Sequence, residues 1–306
     1  MAFVLRGPPN GTAVVVRAAH SAPQKLLEYC YGPGSLRLGH FDPWLLLHTS
    51  GQSNESNERA TRLRRYRTSF SSLVYTDDDI AELLGGHRYD SWINHEPSLL
   101  LLLRRTQAMG GGYRFVWAIE DDSLFLGNVG HFLDATARHD EDYLGTILDD
   151  HRNLSSWHWG YGTWKPASAA AARTKVEHVE RYSRRLLVAL EDMLSRGLYA
   201  WGEGMVSACL SWRWCTTREL GGYVPWSNGT QLGGFVVPMG PWWNVHLKPK
   251  ATCHLHRRFA SMFVHSLKWA RHPSEGAEQE LLRRLCAGPS PESQAHTSPC
   301  ADLQIS

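Results

Sequence analysis

Short apolar runs separated by polar loops dominate the first half of the chain and predict buried strands. Three runs, residues 12–19, 41–50 and 70–76, are rich in β-branched and aromatic side chains and stop at polar or turn-forming residues. A fourth run, residues 113–119, is long enough for a buried strand and is followed at once by Glu120-Asp121-Asp122. Four buried strands are therefore expected before residue 120.

Segments with helical spacing alternate with these strands. Residues 23–29 and 80–84 predict short helices, the second preceded by a turn and helix cap at 76–79, and residues 94–109 predict a longer helix that stops at three glycines. A helix at 129–138 and a short strand at 142–148 are expected next, and 167–173 is predicted to be a flexible bridge. Residues 176–196 predict one long amphipathic helix that ends at Gly197, with these side chains in the core: Val179, Tyr182, Leu186, Leu187, Leu190 and Leu194.

Strands alternating with helices over the first 150 residues predict an α/β fold, a mostly parallel sheet flanked by helices in a single domain. That domain is expected to span residues 1–272, with a nucleotide-binding half at about 10–150 and an acceptor half at 151–272. Residues 273–306 are expected to form a terminal helix and a disordered tail rich in Ser and Pro. Because no glycine-rich fingerprint opens a helix after the first strand, a dinucleotide-binding domain and a P-loop are disfavoured.

Parallel sheets bind ligands at the carboxyl ends of their strands, and polar residues follow each predicted strand. They are His20, Thr49 with Ser50, Asp77 to Asp79, and Glu120 to Asp122. Three acids after a buried strand form either a solvated turn or a site that holds a cation, because buried carboxylates need donors or a metal. Their position at the ligand edge favours the second interpretation.

Glu203 is a second candidate because glycines flank it and a helical pattern follows it. A carboxylate near a helix N-terminus stays ionised, as a general base must, although an ordinary first-turn acid would have the same sequence. Further along, His246, His254, His256 and His265 fall within twenty residues, and Lys268 follows the last of them.

Tryptophan is abundant, with 13 residues in the chain. Trp157, Trp159 and Trp164 lie in a glycine-containing segment that predicts a pocket-lining loop, and Trp201 directly precedes the Glu203 segment. Aromatic rings at pocket walls commonly stack on sugars or bases, whereas most tryptophans in proteins fill the core. Both interpretations stay open for each ring.

Composition narrows the class of protein. The 306 residues are 42% hydrophobic and 20% charged with a formal net charge of +2, which indicates a globular chain and gives no sign of nucleic-acid binding. The longest apolar run, residues 99–103, is too short to cross a membrane, and residues 1–11 lack a core of signal-peptide length. Four glycosylation sequons, at Asn10, Asn54, Asn153 and Asn228, favour the secretory pathway, whereas the six cysteines leave the redox compartment open.

Together, the strand ending in acid-x-Asp, the later Trp-Gly-Glu and the terminal His-x-x-Lys resemble nucleotide-sugar glycosyltransferases of the GT-A type. The likeness is greatest to a poorly characterised algal and fungal group and covers roughly residues 10–272. It implies a GT-A-like, Rossmann-like sheet. Glu stands where these enzymes usually have the first Asp, the usual amino-terminal membrane anchor is missing, and the proline often found between the His and Lys is absent.

The resemblance also implies roles for individual residues. Asp122 would be a metal ligand with His265 as the second, Glu203 the base, and the nucleotide would contact His20, Glu120, Asp121 and Lys268. Asp121 would point away from the metal if the strand continues through it. Trp157, Trp159, Trp164 and Trp201 would form acceptor walls. The cofactor would be a divalent cation, Mn²⁺ or Mg²⁺.

The expected function is that of a metal-dependent glycosyltransferase in the Golgi lumen, moving a sugar from a nucleotide-sugar donor to a hydroxyl of a glycan or protein acceptor. Two alternatives stay open: a metallohydrolase that uses the late histidines, and a carbohydrate-binding protein that has the fold without turnover. Donor sugar, acceptor, stereochemistry and oligomeric state do not follow from the sequence.

Overall fold

The structure, a computed structural model, describes the chain in segments: residues 11–18, 41–49, 71–89, 95–110, 112–120, 123–125, 129–148, 162–166, 168–200, 202–220, 223–225, 235–237, 245–246, 263–264 and 267–268. The chain divides into two compact units that interleave along the sequence. Unit 1 comprises residues 1–17, 40–119 and 140–219, and unit 2 comprises residues 18–39, 120–139 and 220–306. The domain boundaries expected from the sequence stay a prediction.

Up to residue 219, the described residues form eight strands and five helices. The strands are β1 (Gly11–Ala18), β2 (Phe41–His48), β3 (Ser71–Tyr75), β4 (Tyr113–Glu120), β5 (Leu124–Phe125), β6 (Tyr143–Leu148), β7 (Thr174–Ser183) and β8 (Thr217–Glu219). The helices are α1 (Asp77–Leu83), α2 (His95–Ala108), α3 (Val129–Ala137), α4 (Arg184–Ser195) and α5 (Val206–Ser211). Single 3₁₀ turns lie at Ala169–Ala171 and Gly202–Gly204.

A seven-stranded open sheet forms the centre of unit 1, in the order β3-β2-β1-β4-β7-β6-β8. β2 pairs with β3 and β6 with β8 in parallel, whereas β7 runs antiparallel to both of its neighbours, β4 and β6. The sheet is therefore mixed around a mostly parallel core, and the predicted α/β class with flanking helices is confirmed.

Unit 2 contains a smaller sheet built from short strands. β9 (Tyr223–Pro225), β10 (Phe235–Val237) and β12 (Phe263–Val264) pair in parallel, and β5 adds antiparallel to β12. A separate parallel pair joins β11 (Val245–His246) to β13 (Leu267–Lys268).

Most of the predicted elements up to residue 148 that fall on described residues are confirmed, and the local chemistry explains their ends. Thr76 caps α1 with a reciprocal capping box, in which its hydroxyl accepts from the Asp79 amide and the Asp79 carboxylate accepts from the Thr76 amide. The predicted helix at 23–29 lies outside the described residues. The end of the predicted flexible bridge at 167–173 is anchored to α5. The Arg173 amide donates to Ser207 Oγ, and the Ser207 hydroxyl donates to the Arg173 carbonyl.

The predicted helix over 176–196 is wrong in its first half. Residues up to Ser183 form strand β7, and α4 begins at Arg184, with the Ser183 hydroxyl accepting from the Leu186 amide as the helix cap. Gly197 ends the helix as expected, with a φ of 73° that suits glycine. The predicted core residues are nevertheless all buried, and all of them except Val179 belong to one cluster with leucines of α2.

No helix in the described part of the chain is both long enough and apolar enough to cross a membrane.

Candidate functional site

Five ionisable side chains lie buried together in unit 1, at the start of α2 and along β7. His95 and Glu96 are 6% and 0% exposed, and Lys175, Glu177 and Glu180 are 1%, 8% and 0% exposed. Lys and Glu are almost never buried unless paired, because removing a charge from water costs several kcal/mol. These five residues are called the buried charge cluster below.

Lys175 is the cation of the cluster. Its Nζ atom lies 2.6 Å from Glu180 Oε2, 3.0 Å from Glu96 Oε1 and 3.4 Å from Glu177 Oε1. Burial by itself would lower the pKa of Lys175, but attraction to Glu180, Glu96 and Glu177 outweighs burial and raises the pKa above its ordinary value. Lys175 is therefore charged at any physiological pH.

Two buried tyrosines extend the network around Glu180. Lys175 Nζ donates to Tyr182 Oη at 2.7 Å, and Tyr143 Oη donates to Glu180 Oε2 at 3.1 Å. Tyr182 Oη lies 2.7 Å from Glu180 Oε2 and 2.9 Å from Glu96 Oε1, and its single proton serves one of them at a time. Burial raises the pKa of both tyrosines, so both remain protonated donors.

A sheet irregularity lets Glu177 and Glu180 both reach Lys175. β6 and β7 pair Leu144 with Arg181 but Thr146 with Val176, so residues 177–180 of β7 lie opposite Gly145 alone. In a regular strand, side chains three positions apart point to opposite faces. The bulge removes that alternation and gathers charges that would otherwise be separated.

Two glycines make room for this arrangement. A Cβ atom at Gly145 would lie 2.2 Å from Tyr143 Oη, and one at Gly202 would lie 2.0 Å from Glu177 Oε1. The backbone of the Gly202–Gly204 turn therefore rests directly on the Glu177 carboxylate.

Glu203, predicted to be the base, is carried by this turn and is half-buried. Burial raises the pKa of Glu177 well above its ordinary value, Lys175 opposes the rise, and the Glu203 carboxylate adds to it. The helix after Glu203, α5, has six residues, which limits the dipole expected to act on it. In the structure, Glu203 acts on a buried neighbour, the carboxyl group of Glu177.

The cluster carries more acid than base. Three buried carboxylates meet one ammonium group, which leaves two negative charges in excess if all three ionise. Among the described residues, each of the three acids has one buried oxygen that accepts no hydrogen bond: Glu96 Oε2, Glu177 Oε1 and Glu180 Oε1. Such oxygens call for a proton, a water molecule or a cation.

The strand-end acids begin where β4 ends. The strand includes Glu120, which is half-buried, while Asp121 and Asp122 lie outside the described residues. Strand order reverses beside β1, since β2 and β3 lie on one side of it and β4 pairs on the other. In open α/β sheets such a reversal marks the ligand crevice at the carboxyl ends of the strands.

Polar residues after β2 and β3 have structural roles. His48 Nε2 lies 2.9 Å from Asp77 Oδ1, and Asp79 completes the capping box that Thr76 begins at α1. Asp78 pairs with exposed Arg88, and the Thr49 amide donates to the Tyr75 carbonyl at 2.9 Å. These strand ends therefore serve the local fold.

An aromatic pocket of about 350 Å³ lies elsewhere in unit 1. Trp164, one of the predicted acceptor walls, lines it together with Trp212 and Trp214. The last two rings stack with centroids 5.4 Å apart, and the Cys209–Cys215 disulfide closes the loop that carries them. Asp192 and Arg196, which form an exposed ion pair, supply polar groups to the same pocket.

The other predicted site residues lie outside the described residues: His20, Asp121, Asp122, Trp157, Trp159, Trp201 and His265. Lys268 lies on β13, where its backbone is in register with that of His246. Glu120 belongs to unit 2, whereas Glu203 and Trp164 belong to unit 1.

The sequence does not reveal the buried charge cluster, because four of its five members fall within segments of helical spacing, where charged side chains are expected on the exposed face. One signal was present: Lys175, Glu177 and Glu180 precede Ser183, a good helix cap that is followed by an unbroken helical pattern. A helix that begins after Ser183 places these three charged residues in the preceding strand.

No protein-family model matches the chain, and no curated protein matches it by sequence. Solved structures of similar fold include the mannosyltransferase PcManGT from Pyrobaculum calidifontis, in complex with GDP-Man and Mn²⁺, at 10% identity and a TM-score of 0.38. That match covers 70% of this chain and 56% of the mannosyltransferase.

Mouse xyloside xylosyltransferase 1 matches at 10% identity and a TM-score of 0.37, over 84% of this chain and 97% of that one. The 4-diphosphocytidyl-2C-methyl-D-erythritol synthase from Anaerococcus prevotii matches at 9% identity and a TM-score of 0.40, over 69% and 86%. The similarity is one of fold.

Proposed function

We propose that this protein is a metal-dependent glycosyltransferase that moves a sugar from a nucleotide-sugar donor to a hydroxyl group of a glycan or protein acceptor. The observation that carries the proposal is the end of β4, where Glu120 is followed directly by Asp121 and Asp122 beside the reversal of strand order. That place in an open α/β sheet suits a charged ligand.

The donor set fits a hard divalent cation such as Mn²⁺. In this proposal Asp122 and His265 hold the ion, and carboxylate with imidazole is a ligand combination that Mn²⁺ accepts. The bound cation would offset charge on the departing diphosphate. Lys268 would add positive charge there, and His20, Glu120 and Asp121 would contact the rest of the nucleotide.

Glu203 is proposed as the base that takes the proton of the acceptor hydroxyl if the reaction inverts configuration. Support comes from its partial exposure on a turn that rests on the buried charge cluster. A base must be both fixed in position and reachable by substrate, and a half-buried side chain on an anchored turn meets both needs.

Changing Asp122 to Asn is expected to lower transfer about 100-fold, which corresponds to about 2.7 kcal/mol of lost transition-state stabilisation. The amide keeps the shape of the side chain but lacks the negative charge that holds the cation. The measurement is a screen of sugar nucleotides for transfer and hydrolysis, with Mn²⁺ present and after its removal by a chelator.

Asp140→Asn is the matched control, because Asp140 is 72% exposed, pairs with Arg114 and has no proposed role at the site. It should retain metal-dependent activity within a few-fold of the parent. Sugar transfer that is lowered neither by the chelator nor by Asp122→Asn would contradict the proposal. Sugar-nucleotide binding without any product would favour the carbohydrate-binding alternative, and zinc-dependent hydrolysis that survives Asp122→Asn would favour the metallohydrolase.

The aromatic pocket is proposed to bind a sugar ring of the acceptor. Tryptophan faces suit the apolar faces of pyranose rings, and Asp192 and Arg196 can hydrogen-bond to hydroxyl groups. The disulfide holds Trp212 and Trp214 in one loop, which favours a preformed surface.

Trp214→Ala is expected to weaken glycan binding about twofold to thirteenfold, since an aromatic contact contributes about 0.5–1.5 kcal/mol. Trp214 is 38% exposed, so a ligand can reach it. Glycan-array binding followed by calorimetry on one bound glycan measures the change. Met109→Ala removes an exposed apolar side chain, 54% exposed and not part of the pocket lining, and should leave affinity unchanged. Equal affinities for the parent and Trp214→Ala would exclude the pocket as the glycan-binding site.

Residence in the secretory pathway, with the Golgi lumen as its site, is also a proposal. It is supported by the four sequons and by the Cys209–Cys215 disulfide, because disulfides persist in oxidising compartments.

A further inference from the structure

We propose that His95, Glu96 and Glu177 form a buried divalent-cation site in unit 1, separate from the strand-end acids. One ring nitrogen of His95 and one carboxylate oxygen from each acid lie within 4.8 Å of one another. Tetrahedral ligands about 2.1 Å from a metal lie roughly 3.4 Å apart, so modest side-chain rotations would close the set around an ion.

The charge of the cluster supports a dication. Glu180 Oε2 is contacted by Lys175 at 2.6 Å and by Tyr143 at 3.1 Å, and Glu180 Oε1 lies 3.4 Å from Nδ1 of His95. The single positive charge of Lys175 can balance the charge of Glu180. Within the cluster, the charges of Glu96 and Glu177 then remain unbalanced. One divalent ion balances both.

Glu96 and Glu177 each carry a buried oxygen that accepts no hydrogen bond among the described residues. Lys175 and Tyr182 contact Oε1 of Glu96, which leaves Oε2 without a hydrogen bond in the described part of the chain. Oε1 of Glu177 is also a buried atom without a hydrogen bond, and it lies 3.4 Å from Lys175 Nζ. Glu96 is fully buried, so bulk water does not reach its Oε2 atom. A bound metal ion would give this oxygen a partner.

The imidazole and carboxylate ligands of this site indicate which metal ions it would bind. An imidazole nitrogen with two carboxylate oxygens suits Zn²⁺ or Mn²⁺, whereas Ca²⁺ and Mg²⁺ prefer oxygen ligands alone. Full enclosure by protein also favours a tightly held ion with a structural role.

This ion would hold the turn that carries Glu203. The Gly202 backbone contacts the Glu177 carboxylate so closely that a Cβ atom there would lie 2.0 Å from Oε1. Fixing Glu177 on a metal therefore fixes the surface on which the Gly202–Gly204 turn rests. The site itself does not depend on the glycosyltransferase proposal.

The test is metal content of the full chain after saturation with Zn²⁺ or Mn²⁺ and extensive dialysis. The parent should retain about one equivalent, and Glu177→Gln and Glu96→Gln should retain less than about a tenth of that, because structural sites lose affinity steeply when a ligand is removed. Asp140→Asn, at an exposed ion pair with Arg114, is the matched carboxylate control and should keep the metal. Asp122→Asn should keep it as well.

A second measurement needs no folded variant of the cluster. X-ray absorption of the Zn²⁺-loaded parent should show nitrogen and oxygen ligands including one imidazole, and the same spectrum in Asp122→Asn. Absence of retained metal in the parent would overturn the site and would leave protonation of the cluster as the explanation. Metal that is lost in Asp122→Asn but kept in Glu177→Gln would also overturn it, while supporting the strand-end site.

Discussion

Replacing Lys175 with methionine is expected to destabilise the protein by about 3–5 kcal/mol, the cost of removing one partner from a buried ion pair. Methionine fills a similar volume but leaves Glu96, Glu177 and Glu180 without the ammonium that lies 2.6–3.4 Å from all three. Since native domains are stable by only about 5–15 kcal/mol, much of the variant could be unfolded at growth temperature. Urea unfolding followed by circular dichroism measures the loss.

Arg218→Met is the matched control. Arg218 pairs with Glu141 at 2.6 Å but is 52% exposed, and exposed pairs contribute at most about 1 kcal/mol. The double variant Lys175→Met with Glu180→Gln should recover part of the loss, because it removes one of the uncompensated carboxylates. A Lys175→Met protein within 1 kcal/mol of the parent would mean that protons or another cation already neutralise the acids.

The first strands of unit 1 could be predicted from the sequence because they follow simple rules. β1, β2 and β4 are continuous apolar runs, as expected for strands buried on both faces. The helix cap at Thr76 and the glycines after α2 also carry their usual meanings. In each case the residues that specify the element are adjacent in the chain.

β7 could not be predicted in the same way because its neighbours in space decide its structure. Val179, Tyr182 and Leu186 have the spacing of a helix, but the first two belong to a strand paired with β4 and β6. The bulge opposite Gly145 disrupts the alternation that would reveal a strand. Lys175, Glu177 and Glu180 also look like surface residues, and the partners that permit their burial lie on α2 and β6, far away in sequence.

The predicted site residues divide along similar lines. Glu120 is at a strand end and Trp164 lines a pocket, and their roles in binding stay predictions. The sequence does not assign Trp212 and Trp214 to this pocket, because only the fold brings their disulfide-closed loop to Trp164. The environment of Glu203 depends on Glu177, which lies on a different element, and this relation is invisible in a single sequence.

Asp142 provides the second large expected effect, because its carboxylate joins three segments of unit 1. Oδ1 accepts from Ser183 Oγ at 2.7 Å and from Arg185 Nε at 3.1 Å. Oδ2 accepts from Arg185 Nη2 at 2.5 Å and from the Thr216 amide at 3.0 Å. The residue therefore ties the start of β6 to the beginning of α4 and to the segment that precedes β8.

Asp142→Asn is expected to lower the free energy of unfolding by about 3 kcal/mol at neutral pH, since hydrogen bonds to a charged group contribute about 1.5–3 kcal/mol each and the amide can replace only part of them. Burial alone would raise the pKa of Asp142, but hydrogen bonds from Arg185, Ser183 and Thr216 outweigh it and hold the pKa below its ordinary value. A lowered pKa stabilises the fold above the pKa of the unfolded chain, about 3.9, and that contribution is lost as the pH falls through the folded value.

The parent should therefore lose more stability than Asp142→Asn between neutral pH and about pH 3, and the two proteins should converge in acid. Urea unfolding at several pH values measures both the offset and the slope. Asp140→Asn, two residues earlier and 72% exposed, is the control and should follow the parent at every pH. Parallel curves for the parent and Asp142→Asn, with a constant offset, would show that the lost contacts depend on the shape of the side chain and not on its charge. Convergence in acid would instead assign the stabilisation to the ionised carboxylate that holds β6, α4 and the Thr216 segment together.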